Sequence, residues 1–107
     1  MKQLKFADKL PQLILSGKKT ATWRINDKRG VIKGDILSLC YNDGIEFAKA
    51  ETFWVKEVAF EGMTKKDKEG HEKYPSKEQM YKTFKKYYAM EVTPKTKVKI
   101  IKFRLLK

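Results

Sequence analysis

The chain has 107 residues, a length that buries one hydrophobic core, so we expect a single domain over residues 1–107. Its 41% hydrophobic content excludes a disordered chain, and its formal net charge of +12 favours a polyanionic partner, nucleic acid before an anionic membrane surface. The alternative explanation of the charge is a lysine-rich solvated surface. The lone Cys40 excludes an internal disulfide and predicts a reducing cytoplasm, and no apolar run has the length of a signal peptide or a membrane span.

The N-terminal quarter predicts two strands around a short helix. Residues 2–6 read as the first strand. A helix over residues 8–16 follows, with Asp8 as its N-cap, Pro11 tolerated in its first turn and Gly17 as its stop. Residues 19–25 are predicted to form the second strand.

The middle of the chain predicts a hairpin. Residues 36–41 form an apolar strand, and the turn at residues 42–44 leads into a long strand over about residues 45–60. The apolar pattern of that long strand changes face at Ala50 and Phe53, which favours a bent strand of a small barrel.

The C-terminal part predicts two helices and a last strand. Capping boxes begin the helices at Thr64 and Ser76, and aromatic residues at helical spacing follow the second box. The last strand spans residues 97–106, and its alternation slips at Ile100/Ile101, which predicts either a bulge or burial on both faces. About five strands with helices in two connections indicate an α+β fold built on a partly closed barrel.

The richest cluster of polar groups lies at residues 17–24, GKKTATWR. Strand alternation places Thr22 and Arg24 on one face and Lys19 and Trp23 on the other, with Lys19 at the corner where it can swing towards Thr22. A threonine hydroxyl needs a base to act as a nucleophile, and a lysine serves when burial or a nearby cation lowers its pKa. A carboxylate such as Glu69 would orient the amine or carry a proton. The alternative is an ordinary strand threonine, a solvated lysine and a helix-end glutamate.

A metal site is not expected, because His71 is the only histidine, Cys40 the only cysteine, and they lie on separate elements. Cys40 lies in an apolar strand and is interpreted as an inert core residue. His71, beside Glu72 and Lys73, is interpreted as a solvated residue at a helix end.

The positive charge is concentrated towards the C-terminus. Residues 63–107 carry fourteen Lys and Arg against five Asp and Glu. Lysine is a point charge suited to phosphate, and Trp23 or Trp54 offers a ring on which a base can stack. The predicted phosphate contacts are Lys82, Lys85, Lys86, Lys97, Lys99 and Lys102.

The polar stretch and its context resemble the ASCH domain, a member of the PUA-like superfamily. The resemblance rests on residues 17–24, on Lys33-Gly34-Asp35 before an apolar strand, and on Met63-Thr64 opening a helix that reaches Glu69 and Gly70. A second helix with Glu78 and the final stretch at residues 102–105 match as well. The resemblance implies an α+β fold, a small barrel of five to six mixed strands with two to three helices packed against it and a cleft between them.

The resemblance also implies a ligand, which is RNA or a modified nucleotide. One bacterial branch consists of amidohydrolases that deacylate N4-acetylcytidine with a Lys, Thr, Glu trio. Carried over, Lys19 is the base, Thr22 the nucleophile and Glu69 the third member, while Lys18, Trp23 and Arg24 are candidate ligand contacts.

Two functions therefore stay open from the sequence. The first is an RNA- or nucleotide-binding domain, and the second is an amidohydrolase acting on N4-acylcytidine. Nuclease activity and a purely structural role are weaker alternatives. We expect no cofactor and a monomer or weak dimer.

Overall fold

The computed structural model describes residues 1–106. One sheet holds five strands, and its elements in chain order are β1 Lys2–Phe6, α1 Leu10–Leu15, β2 Ala21–Arg24, β3 Ile36–Tyr41, β4 Glu46–Ala59, a 3₁₀ turn at Phe60–Gly62, α2 Lys65–Lys68, α3 Lys77–Tyr88 and β5 Lys97–Leu105. Within the described residues, no helix is both long and apolar enough to span a membrane.

The sheet is mixed and curls into a half-barrel. Its strand order is β1-β3-β4-β5-β2, with β1 and β3 parallel and the other neighbours antiparallel. Its two edge strands meet through a side chain, because Arg24 Nη2 on β2 donates to the Lys5 carbonyl of β1 over 2.8 Å. The predicted α+β fold with a partly closed barrel of mixed strands is confirmed.

The bend in the sheet comes from β4. Between Thr52 and Trp54 the register against β5 shifts, so Phe53 is the extra residue of a bulge that increases the local twist. The prediction of a bent β4 is confirmed. The slip in alternation at Ile100/Ile101 reflects burial on both faces of the strand and not a bulge. In the sheet, β5 lies between β4 and β2, and successive residues of its central part are buried.

Two apolar clusters hold the layers together. One lies between α1 and the β1-β3 side of the sheet, around Leu4, Ile14 and Phe103. The other joins α3 to the β2-β5 side, where Met80 and Phe84 of the amphipathic helix are buried. The aromatic face of α3 therefore packs against β2, the strand that carries the polar stretch.

Local signals explain most element boundaries. Gly17, with φ +83°, follows the end of α1, and Thr64 and Asp67 form the predicted capping box of α2. Asp8 is not the N-cap of α1, because its φ of +52° places it in the left-handed region and the helix begins after Lys9 without a side-chain cap.

Candidate ligand cavity

A cavity of about 220 Å³ opens where the two edge strands of the sheet meet α3. Its wall contains polar groups from Lys19, from β2 and from the segment after α2, and aromatic rings, several of them from α3. The lining residues are Lys5, Phe6, Ala7, Leu10, Lys19, Thr22, Trp23, Arg24, Asn42, His71, Glu72, Tyr74, Phe84, Tyr87 and Tyr88.

A buried ion pair lies in the cavity wall. Lys19 Nζ donates to Glu72 Oε1 over 2.5 Å, and the Lys19 side chain is only 2% exposed, against 25% for Glu72. Burial lowers the pKa of Lys19, and the attraction of Glu72 only partly offsets this. Burial raises the pKa of Glu72, but nearby His71 and Lys19 outweigh it, so its pKa falls below the usual range. The pair presents a donor and an acceptor side by side.

Arg24 fixes the neighbouring hydroxyl. Its Nε donates to Thr22 Oγ1 over 3.0 Å, and its guanidinium carbon lies 4.7 Å from the centre of the Phe6 ring. Because Thr22 Oγ1 accepts this bond, its own hydrogen remains available to another acceptor. Among residues 1–106 no hydrogen bond joins Lys19 to Thr22, since Lys19 Nζ is held by Glu72.

His71 is part of the cavity wall, and its interpretation as a solvated helix-end residue is wrong. Its side chain is 4% exposed and stacks on Trp23, with ring centres 3.7 Å apart. Burial, reinforced by the charge of Lys19, lowers the pKa of His71 to about 3, so the ring is neutral near pH 7. Its Nδ1 lies 2.9 Å from the Glu72 carbonyl, which only accepts, so Nδ1 carries the hydrogen.

Gly70 holds the segment after α2 against the start of β2. Its carbonyl accepts from the backbone N–H groups of both Thr20 and Ala21, at 2.7 and 3.1 Å. Its φ is +85°, and an added Cβ would overlap Thr20 Oγ1, so the close approach requires glycine. The bonds hold the next two residues, His71 and Glu72, over the cavity.

Glu69 lies outside this arrangement. It is exposed at the C-cap of α2 and does not line the cavity. The carboxylate that meets Lys19 is Glu72, three residues further along the chain. No local signal in the sequence distinguishes the two glutamates, because the choice depends on the turn at Gly70 and its long-range bonds to β2.

Two of the three ligand contacts predicted in the polar stretch lie at the cavity, and the third does not. Trp23 and Arg24 line the cavity, whereas Lys18 is exposed and lies outside the lining. Trp23 is held by stacking rather than by hydrogen bonding, since its buried Nε1 has no partner among the described residues.

Of the six lysines predicted to contact phosphate, two are held by other groups of the protein and four are exposed. Lys102 is 8% exposed, donates to the Lys66 carbonyl and lies over the Trp54 ring, and Lys99 pairs with Asp27 at 3.0 Å. Both side chains are therefore committed within the molecule, contrary to the expectation of free phosphate contacts. The other four, Lys82, Lys85, Lys86 and Lys97, are exposed.

Cys40 is a buried free thiol, as predicted. Within residues 1–106 no group of three or more His, Cys, Asp or Glu side chains is arranged to hold a metal ion.

The sequence and fold match known proteins along the whole chain. A family model described as "ASCH domain" matches residues 1–107. A comparison with curated proteins finds no match.

Solved structures share the fold at low sequence identity. Protein EF3133 from Enterococcus faecalis V583 is 19% identical with a TM-score of 0.75, over 92% of this chain and 71% of that one. The hypothetical protein PH0355 is 24% identical with a TM-score of 0.74, over 99% and 100% of the two chains. The ASCH domain from Lactobacillus crispatus JV V101 is 14% identical with a TM-score of 0.67, over 97% and 79%. The family model, matched over all 107 residues, shows that this chain belongs to the ASCH domain family.

Proposed function

We propose that the cavity binds a single nucleobase, presented by an RNA chain or by a free modified nucleoside. Ligand pockets for drug-sized molecules occupy about 300–1,000 Å³, and this cavity of about 220 Å³ is smaller. It therefore suits one flat heterocycle rather than a larger ligand. Family membership, which suggests a nucleic acid or nucleoside ligand, supports the same choice.

The observation that carries the proposal is the buried Lys19–Glu72 pair in the cavity wall. The edge of a base is an alternation of hydrogen-bond donors and acceptors, and unpaired bases are recognised by bonds to that edge. The Lys19 ammonium and the Glu72 carboxylate, with Nζ and Oε1 2.5 Å apart, offer a donor and an acceptor next to each other. Thr22 extends this polar edge by one hydroxyl.

Aromatic and cationic groups complete the recognition. Tyr74 and Tyr87 line the cavity and offer ring faces for stacking. The exposed Lys5 lies at the same cavity and suits a phosphate. Four of the exposed lysines of the C-terminal part, Lys82, Lys85, Lys86 and Lys97, add to the field that attracts a polyanion.

The test is a titration followed by the fluorescence of Trp23 in a Trp54→Phe background, with cytidine, N4-acetylcytidine, uridine and short oligoribonucleotides. We expect saturable quenching by at least one of these ligands and weaker oligonucleotide binding as salt rises. Glu72→Gln should weaken nucleoside binding at least tenfold, and the matched variant Glu69→Gln, whose side chain does not line this cavity, should leave nucleoside binding unchanged. Equal losses in the two glutamate variants, or no quenching by any ligand, would remove the assignment of this cavity.

A second candidate function is deacylation of N4-acylcytidine, favoured by the lowered pKa of Lys19, which lines the same cavity as Thr22. In this scheme a neutral Lys19 amine takes the Thr22 proton as Oγ1 attacks the acyl carbon. The carbon–nitrogen bond breaks, the proton passes to the departing cytidine amine, and water then releases the acid from Thr22. Arg24, whose Nε lies 3.0 Å from Thr22 Oγ1, would donate to the acyl oxygen, which becomes negatively charged during the attack. In this scheme Glu72, which is paired with Lys19, would have the role expected of Glu69.

Release of acetate from N4-acetylcytidine, followed by NMR, tests the second candidate. We expect Thr22→Val to abolish turnover while the nucleoside still binds, and Thr22→Ser to keep part of it. Turnover that survives in Thr22→Val would refute the nucleophile, and binding without any acetate release in the unaltered protein would leave the binding function alone.

A further inference from the structure

A second and larger hollow lies on the other side of the wall formed by Trp23 and His71. Its volume is about 840 Å³, and it runs between the 3₁₀ turn, α2 and the start of α3. We call it the α2-α3 groove. Its apolar and aromatic lining consists of Trp23, Phe60, Met63, Tyr74, Met80, Tyr81 and Pro94.

The groove and the first cavity share one wall. Trp23, His71, Glu72 and Tyr74 line both of them. His71 stacks on Trp23 with ring centres 3.7 Å apart, and Tyr74 lies 5.9 Å from His71 by the same measure. The two hollows are therefore separated by a layer of side chains, so a group seated in one lies next to a group seated in the other.

The rim of the groove is cationic. Four lysines line it, Lys65, Lys68, Lys73 and Lys77, together with three carboxylates, those of Glu61, Glu69 and Glu72. The Glu72 carboxylate is paired with Lys19. All four are exposed, and none forms an ion pair with another residue of the described chain. By contrast, Lys82 and Lys85 on α3 pair with Glu78 and Glu91. The uncommitted lysines of this region thus surround an aromatic floor.

We propose that the α2-α3 groove is a second nucleotide subsite, which holds the neighbour of the base in the first cavity. The inference rests on the proposed function of that cavity and specifies its ligand as a single-stranded polynucleotide rather than a free nucleoside. Aromatic platforms combined with a basic rim are the arrangement by which proteins bind single strands. A duplex would not fit, because its bases are stacked and paired and cannot enter two separate hollows.

The length of the ligand tests the inference. Affinities of the nucleoside and of oligomers of two, three and five nucleotides, as ribo- and deoxyribonucleotides, are measured by isothermal titration calorimetry. We expect the largest gain between one and two nucleotides, and the ribo and deoxyribo series show which sugar the subsite takes. A nucleoside that binds as tightly as the dinucleotide would overturn the subsite while the function of the first cavity stood.

Charge reversal locates the subsite. Lys68→Glu/Lys77→Glu removes two rim lysines, and Lys28→Glu/Lys33→Glu makes the same change in net charge at exposed lysines outside both linings. For a single strand, we expect the first pair to reduce the salt slope of oligonucleotide binding by roughly 0.7 per lysine and the second pair to change it much less. Equal effects would mean that long-range charge alone acts, which overturns the subsite.

The aromatic floor is tested with Tyr81→Leu, since Tyr81 lines the groove but not the first cavity. Stacking of one base corresponds to a loss of about 5- to 150-fold in dinucleotide affinity, with nucleoside affinity unchanged. Thermal unfolding and nucleoside binding of the same variant show that it is folded. Unchanged dinucleotide affinity in the folded variant would overturn the subsite. Dinucleotide binding that depends on Tyr81 but not on Glu72 would instead refute the first cavity.

Discussion

Replacing Glu72 by Gln should destabilise the protein, because it leaves the Lys19 ammonium buried without its counter-charge. Lys19 is 2% exposed and its Nζ lies 2.5 Å from Glu72 Oε1. Removing one partner of a fully buried ion pair costs about 3–5 kcal/mol. Glu72 is a quarter exposed and the amide still accepts a hydrogen bond, so we expect about 2–3 kcal/mol. For a domain of this size this lowers Tm by about 8–12 °C.

Thermal unfolding followed by circular dichroism at pH 7 measures this loss, and Glu69→Gln is the matched control. Glu69 is exposed, so its variant should stay within about 0.5 kcal/mol of the unaltered protein. The folded-state pKa of Glu72 is lowered from 4.5, so the stability contributed by its charge is present above pH 4.5 and is lost as pH falls through that lowered pKa. The difference between the protein and Glu72→Gln should therefore shrink below pH 4.5. A larger loss in Glu69→Gln, or none in Glu72→Gln, would refute the buried pair.

Three further predictions concern His71, Arg24 and Gly70. The pKa of His71 is about 3 in the folded protein and 6.5 in the unfolded chain, so between these values the unfolded chain binds a proton that the folded protein does not. The free energy of unfolding, measured in urea, should therefore fall as the pH is lowered from 6.5 to 4.5. His71→Phe should lose this slope, and an unchanged slope would contradict a buried neutral ring. Arg24→Lys should destabilise by about 1–3 kcal/mol and speed hydrogen exchange of the β1 amides, because one lysine nitrogen replaces the two nitrogens, Nε and Nη2, that bond Thr22 and the Lys5 carbonyl. Unaltered exchange would show that Arg24 does not hold β1 and β2 together. Gly70→Ala and Gly44→Ala both place alanine at positive φ, which destabilises the fold by about 1–2 kcal/mol in each case. Only at Gly70 does the added Cβ also overlap Thr20, so Gly70→Ala should unfold at a clearly lower urea concentration. Equal unfolding midpoints for the two variants would refute the close approach at Gly70.

Patterns within one element were the features that the sequence predicted well. Alternation and turn residues predicted strands β1 and β3 at their observed bounds, and Gly17 predicted the end of α1. The Thr64 capping box succeeded because both of its hydrogen bonds join residues three apart. Thr22 and Arg24 were found as neighbours for the same reason, since they lie two residues apart on one strand.

Contacts between distant elements were not predictable from the pattern. The resemblance to the family made Glu69 the third member of the trio, whereas the turn at Gly70 brings Glu72 to Lys19 across 53 positions of the chain. His71 was misjudged because its charged neighbours suggested solvent, while stacking on Trp23 buries it. Lys102 was expected to face a phosphate because charge patterns do not reveal a partner such as the Trp54 ring.

The meeting of β1 and β2 through Arg24 has a consequence for the behaviour of the protein in concentrated solution. A strand at the end of a sheet offers unpaired N–H and C=O groups to any other chain. Here the two end strands face each other across the cavity, with Arg24 bonded to the Lys5 carbonyl and with Gly70 covering Thr20 and Ala21. Any substitution that releases Arg24 or Gly70 uncovers backbone groups of an end strand while the rest of the sheet remains paired. The first sign of such damage should be self-association through the freed strands, at temperatures where the domain is still folded.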